Sequence, residues 1–316
     1  MQLPDSFITT IQKAFKEDGE NFLAVLPALV EDASQRWGLT DIRPVPNLSY
    51  NFVAFAKRGT EDVILKIGVP NPELNSEMVA LKLFDGDGAC QLLACDEERG
   101  FLLLERLNPG TVLADIPDDE RTNIAIDVMQ KIWRPLDSGS SLALRVLPAA
   151  EQQAVRLQSF IQLSDWFDEL KTVRPKFDGG TGPFPKKIFE RVESVLPELF
   201  ADENVKLIHG DFHHFNILLS ERGWLAIDPK GVIGPAGYEI GPLMINPWGS
   251  LSDGVSFKAQ TKRRMSILSE RLGWERESIL NWATAHAVLS TWWDTQPDGT
   301  GGEYSLWCAE MFSEIN

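Results

Sequence analysis

The chain has 316 residues, 43% hydrophobic and 24% charged, the ordinary balance of a soluble globular protein and enough length for two lobes around a cleft. Lys and Arg number 30 against 46 Asp and Glu, and the resulting formal charge of -16 argues against a nucleic-acid partner while remaining compatible with a cationic small molecule. No apolar run approaches the ~20 residues of a bilayer span, and the opening Met1-Gln-Leu-Pro-Asp-Ser6 lacks the order of a signal peptide, so no membrane contact and a cytoplasmic location are expected.

Residues 1 to about 40 read as a helical lead-in, because Phe7, Ile11, Phe15, Phe22, Val25, Leu26 and Leu29 recur at helical spacing. After Pro44 and Pro46 the pattern becomes that of strands. Residues 51–56 and 62–67 flank a Lys57-Arg-Gly-Thr-Glu61 hairpin, and in the second of them Val63, Leu65 and Ile67 share one face, leaving Lys66 on the other. A helix follows, with Asn71 as cap, Pro72 in its first turn and Leu74, Met78 and Leu81 as its inward stripe. Glu77 lies about 40° from Leu81 on the helical wheel, whereas Glu73 falls on the flank.

Residues 92–95 and 101–107 read as strands, the second ending at the Asn108-Pro-Gly110 break. Cys90, Cys95 and Cys308 fit reduced thiols better than a disulfide framework. From about Asp118 the chain turns helical, with stripes at Ile124, Val128 and Ile132 and at Phe160, Leu163, Phe167 and Leu170; residues 173–185 read as an exposed connection before helix resumes at Ile188. On a last long helix, 279–293, Trp282, His286, Leu289 and Trp293 align along one side as a core stripe with a satisfied histidine.

The segment Leu207-Ile-His-Gly-Asp-Phe-His-His-Phe-Asn-Ile-Leu-Leu219 carries most of the chemistry. Asp211 precedes Asn216 by five positions, and after the Ser220-Glu-Arg-Gly223 turn a second short apolar run delivers Asp228, so two small strands carry Asn216 and Asp228 to one edge. Phosphoryl transfer asks for these groups: a carboxylate to orient the attacking hydroxyl and oxygen ligands for magnesium. His209, His213 and His214 lack the partners a zinc site requires, and His209 is better suited to bracing the loop by hydrogen bonding. Pro229 is expected to bias Asp228 toward extended backbone, and the glycines at 231, 234, 237 and 241 describe a tight loop after it.

On His209-Gly-Asp-Phe-His-His-Phe-Asn216 and Ile227-Asp-Pro-Lys-Gly231 the chain resembles the aminoglycoside and hydroxyurea antibiotic-resistance kinases, the streptomycin 6-phosphotransferase-like branch of the protein-kinase-like fold. The resemblance implies a bilobed α+β fold: a mixed N-terminal lobe with an antiparallel sheet over residues 1–105, binding nucleotide, and a mainly helical C-terminal lobe over 106–316, holding the catalytic and acceptor-binding groups. It implies ATP with magnesium, Asp211 as catalytic base, Asn216 and Asp228 as metal ligands, Lys66 on the phosphates and Glu77 orienting Lys66. Ser49, in a loop of 46–52 that has no glycine, would cover the phosphates, and the backbone from Glu105 to Leu107 would meet the adenine edge. Lys230, Tyr238, Glu239, Asn246 and Trp248 are placed near the acceptor by the same resemblance. Trp292, Asp294 and Glu303 would help wall its pocket, since a polyol or aminocyclitol is commonly gripped by aromatic faces and carboxylates. The acceptor so implied is a hydroxylated small molecule, an aminoglycoside of the streptomycin type. A sugar or amino-alcohol kinase would share the nucleotide machinery, and a nucleotide-binding regulator without chemistry would have no need of Asp211, Asn216 and Asp228 together.

Overall fold

The computed structural model describes residues 3–135, 160–202, 204–249, 253–296 and 299–315. Five strands, β1 (Leu39–Pro44), β2 (Phe52–Arg58), β3 (Glu61–Ile67), β4 (Leu92–Asp96) and β5 (Phe101–Glu105), form an antiparallel sheet in the order β1-β2-β3-β5-β4. The period-two alternation of β3 decides what this sheet can do. Val63, Leu65 and Ile67 pack with Phe7, Ile11, Phe22 and Leu26 of helix α1 (Asp5–Trp37), while Lys66, flanked in register by Val53 and Leu102, points to the opposite face.

Helix α2 (Pro72–Phe84) packs on that opposite face through Leu74, Met78, Leu81 and Phe84. The same apolar cluster runs on through Leu102 and Leu104 to Leu207, Phe212, Ile217 and Leu225, so the Lys66-bearing sheet and the Asp211-bearing loop share one core. A second, three-stranded sheet orders β6 (Pro109–Val112), β10 (Ile217–Ser220) and β11 (Gly223–Ala226) as β11-β10-β6. A third joins β7 (Arg134–Pro135), β8 (Ile161–Gln162), β9 (Val205–Ile208) and β12 (Val232–Pro235) in the order β7-β9-β12-β8, with only the β8–β12 pairing parallel. The remaining mass is helical: α3 (Asp118–Ile132), α4 (Leu163–Asp168), α5 (Lys186–Phe200), α6 (Ile240–Ile245), α7 (Gly254–Leu272), α8 (Arg276–Asp294) and α9 (Glu303–Ser313). Tyr238, Trp282 and Phe167 lie at the centre of their core.

The α+β architecture agrees with the expectation, but several elements differ from it. The lead-in is not one straight helix: backbone at Lys16 leaves helical geometry (φ 51°, ψ -125°), and the chain doubles back so closely that a Cβ on Gly19 would lie 2.5 Å from the Ile11 carbonyl oxygen. Val25, on the outer face of the second arm, is 49% exposed. The strand after it was legible only from β2 onward; β1 lacks continuous apolar alternation and is held by its pairing with β2. The expected 108–110 break overlaps the start of β6, whose Pro109 is tolerated because this is an edge strand. Residues 169–176 form helical turns, and Val173 and Phe184 are buried rather than exposed. Cys90, Cys95 and Cys308 form no disulfide with one another.

One buried cation locks the helical part together. Arg264, on α7, donates through Nε and Nη2 to Asp118 Oδ1 at 3.0 and 2.7 Å, and through Nη1 to the carbonyls of Leu243 at 3.1 Å and Asn246 at 2.7 Å. It thus ties the first turn of α3 to the carbonyls left open at the end of α6. Removing Arg264 takes the donor from the Leu243 and Asn246 carbonyls and leaves Asp118 paired with Arg121 alone, at 2.9 Å, so Arg264→Met is expected to cost about 3 kcal/mol. Denaturant unfolding of variant and wild type checks this; equal midpoints would mean that the network contributes nothing.

Candidate active site

Lys66 is 4% exposed, and its ammonium is enclosed by two carboxylates from different elements. Glu77 of α2 accepts from Nζ at 2.7 Å (Oε1) and 2.6 Å (Oε2), and Asp228 Oδ1, beyond the end of β11, pairs with the same nitrogen. Burial alone would lower the lysine pKa, but Asp228 and Glu77 outweigh it and hold the ammonium charged. Burial likewise opposes ionisation of Asp228, yet Lys66 and Lys230 keep its carboxyl well below the usual range. The geometry of α2 follows from its sequence: Asn71 Oδ1 caps it by accepting from the Glu73 and Leu74 amides at 2.8 and 3.0 Å. Glu73, one turn before Glu77, reaches Lys230 Nζ instead, at 2.7 Å. The helix also touches the 228–231 loop directly. Ser76 Oγ donates to the Gly231 carbonyl, and a Cβ on Gly231 (φ 64°) would lie 2.5 Å from the Ser76 carbonyl oxygen, so glycine is required there.

The second half of the site is assembled by β10 and β11. Ile217 pairs with Ala226, and the Ile227 amide donates to the Asn216 carbonyl at 2.9 Å, which sets Asn216 beside the approach to Asp228. Asn216 Nδ2 donates to the Asp211 carbonyl at 3.0 Å, turning its amide oxygen the other way. His209 is a brace with both ring nitrogens engaged: Nε2 donates to the Ile227 carbonyl at 2.9 Å and Nδ1 accepts from the Asp211 amide at 3.2 Å. Burial drives this imidazole down to about 4, so it is neutral. Asp228 itself adopts φ 58°, not the extended backbone expected before Pro229. A non-glycine residue there is strained, and its ion pair with Lys66 is one contact that holds it.

Two cavities open on these groups. One, of about 540 Å³, has an apolar wall of Val53, Phe55, Ile64, Leu104, Leu107 and Ile227 and a polar remainder that includes Glu105, Arg106 and Lys66. The other, of about 880 Å³, contains Asp211, Lys230, Glu73, Glu169 and Asp294 together with Trp166, Trp248 and Trp293. Ser49, Asn51, Glu77, Asn216 and Asp228 line both, so the cavities meet at the two residues expected to hold a metal.

The placement corrects several expectations. Glu239 is fully buried and lines neither cavity; its carboxylate accepts from the His209 amide at 3.1 Å and the Gly210 amide at 2.8 Å, supporting the Asp211 loop from beneath, while burial pushes its pKa up to about 8. Tyr238 is enclosed beside it. Trp292 packs on Phe177 and Phe184, whereas Trp293 faces the larger cavity, because only residues in step with His286 and Ser290 on α8 look that way. Glu303 caps its own turn through the Gly301 amide at 2.9 Å. Glu105, Arg106 and Leu107 all line the smaller cavity; the Glu105 amide donates to the Gln91 carbonyl at 2.9 Å, and its carboxylate accepts from Arg222 Nη2 at 2.5 Å. Trp248 is 60% exposed at the rim, stacked edge-on against Tyr304 at 5.2 Å. Sequence reasoning missed Trp166 and Glu169. Their signal was an acid and an indole three residues apart beside a strong core stripe, too weak to separate from an amphipathic helix surface.

Because Glu77 touches Lys66 with both oxygens, Lys66→Ala and Glu77→Ala are expected to weaken nucleotide binding less than additively when combined. A double-mutant cycle on the nucleotide dissociation constant checks it; strict additivity would show that the pair does not act as a unit.

The geometry has counterparts in known proteins. The family model described as aminoglycoside/hydroxyurea antibiotic resistance kinase matches residues 36–299. Streptomycin 6-kinase of Streptomyces glaucescens is 26% identical over 303 residues, covering 95% of this chain and 92% of that protein, and hydroxyurea phosphotransferase of Kitasatospora aureofaciens is 28% identical, covering 88% and 76%. Among solved structures, choline kinase LicA from Streptococcus pneumoniae superimposes with a TM-score of 0.60 at 15% identity, over 92% of this chain and 98% of that one. Aminoglycoside phosphotransferase APH(4)-Ia does so with a TM-score of 0.58 at 13% identity, over 91% and 97%. These likenesses establish the protein-kinase-like fold, and the match over residues 36–299 establishes the lineage: the chain belongs to the aminoglycoside/hydroxyurea antibiotic resistance kinase family.

Proposed function

We propose that the protein is an ATP- and magnesium-dependent phosphotransferase that moves the γ-phosphate to a hydroxyl of a cationic, hydroxylated small molecule, an aminoglycoside of the streptomycin type. The observation that carries this reading is the meeting, at Asn216 and Asp228, of a slot with one apolar wall and an acidic, aromatic cavity, with Asp211 on the acidic side alone. The slot suits adenine; carboxylates and indole faces suit a cation. Names of the relatives support the acceptor class, since two are streptomycin 6-kinases and another is a streptomycin 3''-kinase.

In this reading residues 1–105 and 106–316 are the two lobes, and the site lies where they face each other. Lys66, kept charged by its two carboxylates and positioned by Glu77, contacts the nucleotide phosphates. The donor set fits magnesium, a hard cation that takes few protein ligands and completes its shell with phosphate and water oxygens: Asp228 offers a carboxylate and Asn216 an amide oxygen, the latter directed by the bond from its Nδ2 to the Asp211 carbonyl. When bound, that ion would supply charge neutralisation on the phosphates. Ser49 covers the phosphates from the 46–52 loop, and Leu107 borders the adenine.

The step itself is a direct displacement. The acceptor oxygen bonds to the γ-phosphorus, the bond from that phosphorus to the β–γ bridging oxygen breaks, and ADP departs. The hydroxyl proton goes to the Asp211 carboxylate, whose loop is fixed by His209 below its amide, by Asn216 on its carbonyl and by Glu239 beneath the preceding residues. Lys230, cationic between Glu73, Asp228 and Asp211, stands where negative charge develops. Glu169, Asp294 and the three indoles hold the acceptor. No described helix is long and apolar enough to cross a membrane, and a cytoplasmic location, where ATP is abundant, completes the proposal.

Asp211→Asn is expected to lower phosphorylation of streptomycin by ~10²- to 10⁴-fold, the usual worth of a positioned base, while leaving ATP affinity within about twofold. A coupled ADP-release assay run beside calorimetric titration of ATP with magnesium tests both halves. Retained turnover would remove Asp211 from the chemistry, and a screen in which no aminoglycoside but a neutral sugar is phosphorylated would reassign the acceptor.

A further inference from the structure

His286 lies on α8 among core residues, and sequence position alone suggests a satisfied core histidine. Only half of its ring is satisfied. Nδ1 is 3.0 Å from the Tyr238 hydroxyl, and Nε2 has no hydrogen-bond partner among the described residues. Tyr238 is completely enclosed, and its hydroxyl has no second partner there either. Which of the two donates is fixed by what the other choice would cost. A proton on Nδ1 would leave the phenolic hydrogen buried with no acceptor, whereas a phenol that donates to Nδ1 leaves no buried donor unmet. Burial also raises the tyrosine pKa well above its ordinary value, so the hydroxyl keeps its proton. The imidazole hydrogen therefore resides on Nε2. Burial drives His286 down to about 4, making the ring neutral at physiological pH.

The direction of that N–H follows from what closes the other sides. The side chain abuts Gly241 so tightly that a Cβ added there would meet His286 Cβ at 2.3 Å and Cγ at 2.7 Å, and Tyr238 covers Nδ1. The 6% of His286 that remains exposed belongs to the larger cavity, which Asp211, Ser290 and Trp293 also line.

We propose that His286 is an acceptor-binding residue, a neutral N–H on the cavity wall that donates to an oxygen of the bound acceptor, and that Tyr238 is the positioning residue that fixes its tautomer. The inference rests on the larger cavity being the acceptor site. It divides recognition by chemistry: Glu169 and Asp294 take cationic groups, while His286 selects an uncharged hydroxyl, ether or carbonyl oxygen. An imidazolium at that place would repel a cationic acceptor, and the Tyr238 hydrogen bond favours the neutral ring. A site built to hydrogen-bond an oxygen discriminates against analogues lacking it.

The chain has four histidines, so nitrogen-labelled protein gives a small set of imidazole signals that a His286→Leu spectrum assigns. The expected result is the Nε2–H tautomer at neutral pH, with the Nε2 signal moving when streptomycin is added. In steady-state kinetics the double variant Tyr238→Phe with His286→Leu removes both partners of the buried bond and so leaves no orphaned hydroxyl in the core. It should raise the KM for streptomycin about tenfold with the KM for ATP unchanged, and His286→Gln, which keeps a donor, should recover part of the loss. An Nδ1–H tautomer, or an unchanged KM for streptomycin in the double variant, would overturn the proposal and leave the phosphotransferase reading intact. A wild-type enzyme inert toward every acceptor would sink that reading instead; titration of streptomycin into the labelled protein would then decide the His286 assignment by whether Nε2 responds.

Discussion

The site is organised by one buried ammonium between two carboxylates. Lys66 comes from the middle of a sheet, Glu77 from the helix packed on that sheet, and Asp228 from beyond a strand more than a hundred residues later, and the three meet with Lys66 almost wholly out of solvent. A charge so placed is tolerated only when paired, so the arrangement constrains every element that carries it. Displacing α2 would uncover the lysine. Moving the 228–231 loop would do the same from the other side, and it would also break the Ser76 to Gly231 bond and the Glu73 to Lys230 pair.

The surroundings serve that constraint. The apolar cluster running from α2 through β5 to Phe212 and Ile217 makes the two halves of the site one packed body, with β10 and β11 fixing Asn216 against Ile227. Beneath the Asp211 loop, neutral His209 and buried Glu239 satisfy backbone groups that would otherwise be orphaned, which holds Asp211 without making it part of the charge triad. Asp228 is strained: its left-handed backbone before a proline is unfavourable and is held by the ion pair with Lys66. Function therefore sits on a strained residue of a well-packed frame.

Much of this was legible in the sequence because the relevant signals are local. Alternation in β3 separates Lys66 from Val63, Leu65 and Ile67; the Asn71-Pro72 cap sets the phase of α2 and hence Glu77; and the five-residue step from Asp211 to Asn216 survives folding unchanged. What was not legible depends on packing between distant segments. Glu239 reads as an acid beside the acceptor in a glycine-rich loop, and only the approach of two amides from residues 209 and 210 explains its burial. Trp292 and Trp293 are neighbours in sequence, and which one meets the cavity is set by the rotation of α8 against Phe177 and Phe184. Trp166 and Glu169 join the acceptor side only because Trp166 meets Trp293 edge-on at 5.3 Å and the Trp293 indole donates to Glu169 at 3.1 Å.

The central claim is that one junction, at Asn216 and Asp228, brings nucleotide and acceptor together. A crystal structure of the ternary complex with a non-hydrolysable ATP analogue, magnesium and streptomycin tests it most directly. The account expects adenine between Leu104, Leu107 and Ile227, and one streptomycin hydroxyl within about 3 Å of the Asp211 carboxylate and roughly 3 to 3.5 Å from the γ-phosphorus. An acceptor bound away from Asp211, or a nucleotide whose phosphates point away from Lys66 and Asp228, would contradict it.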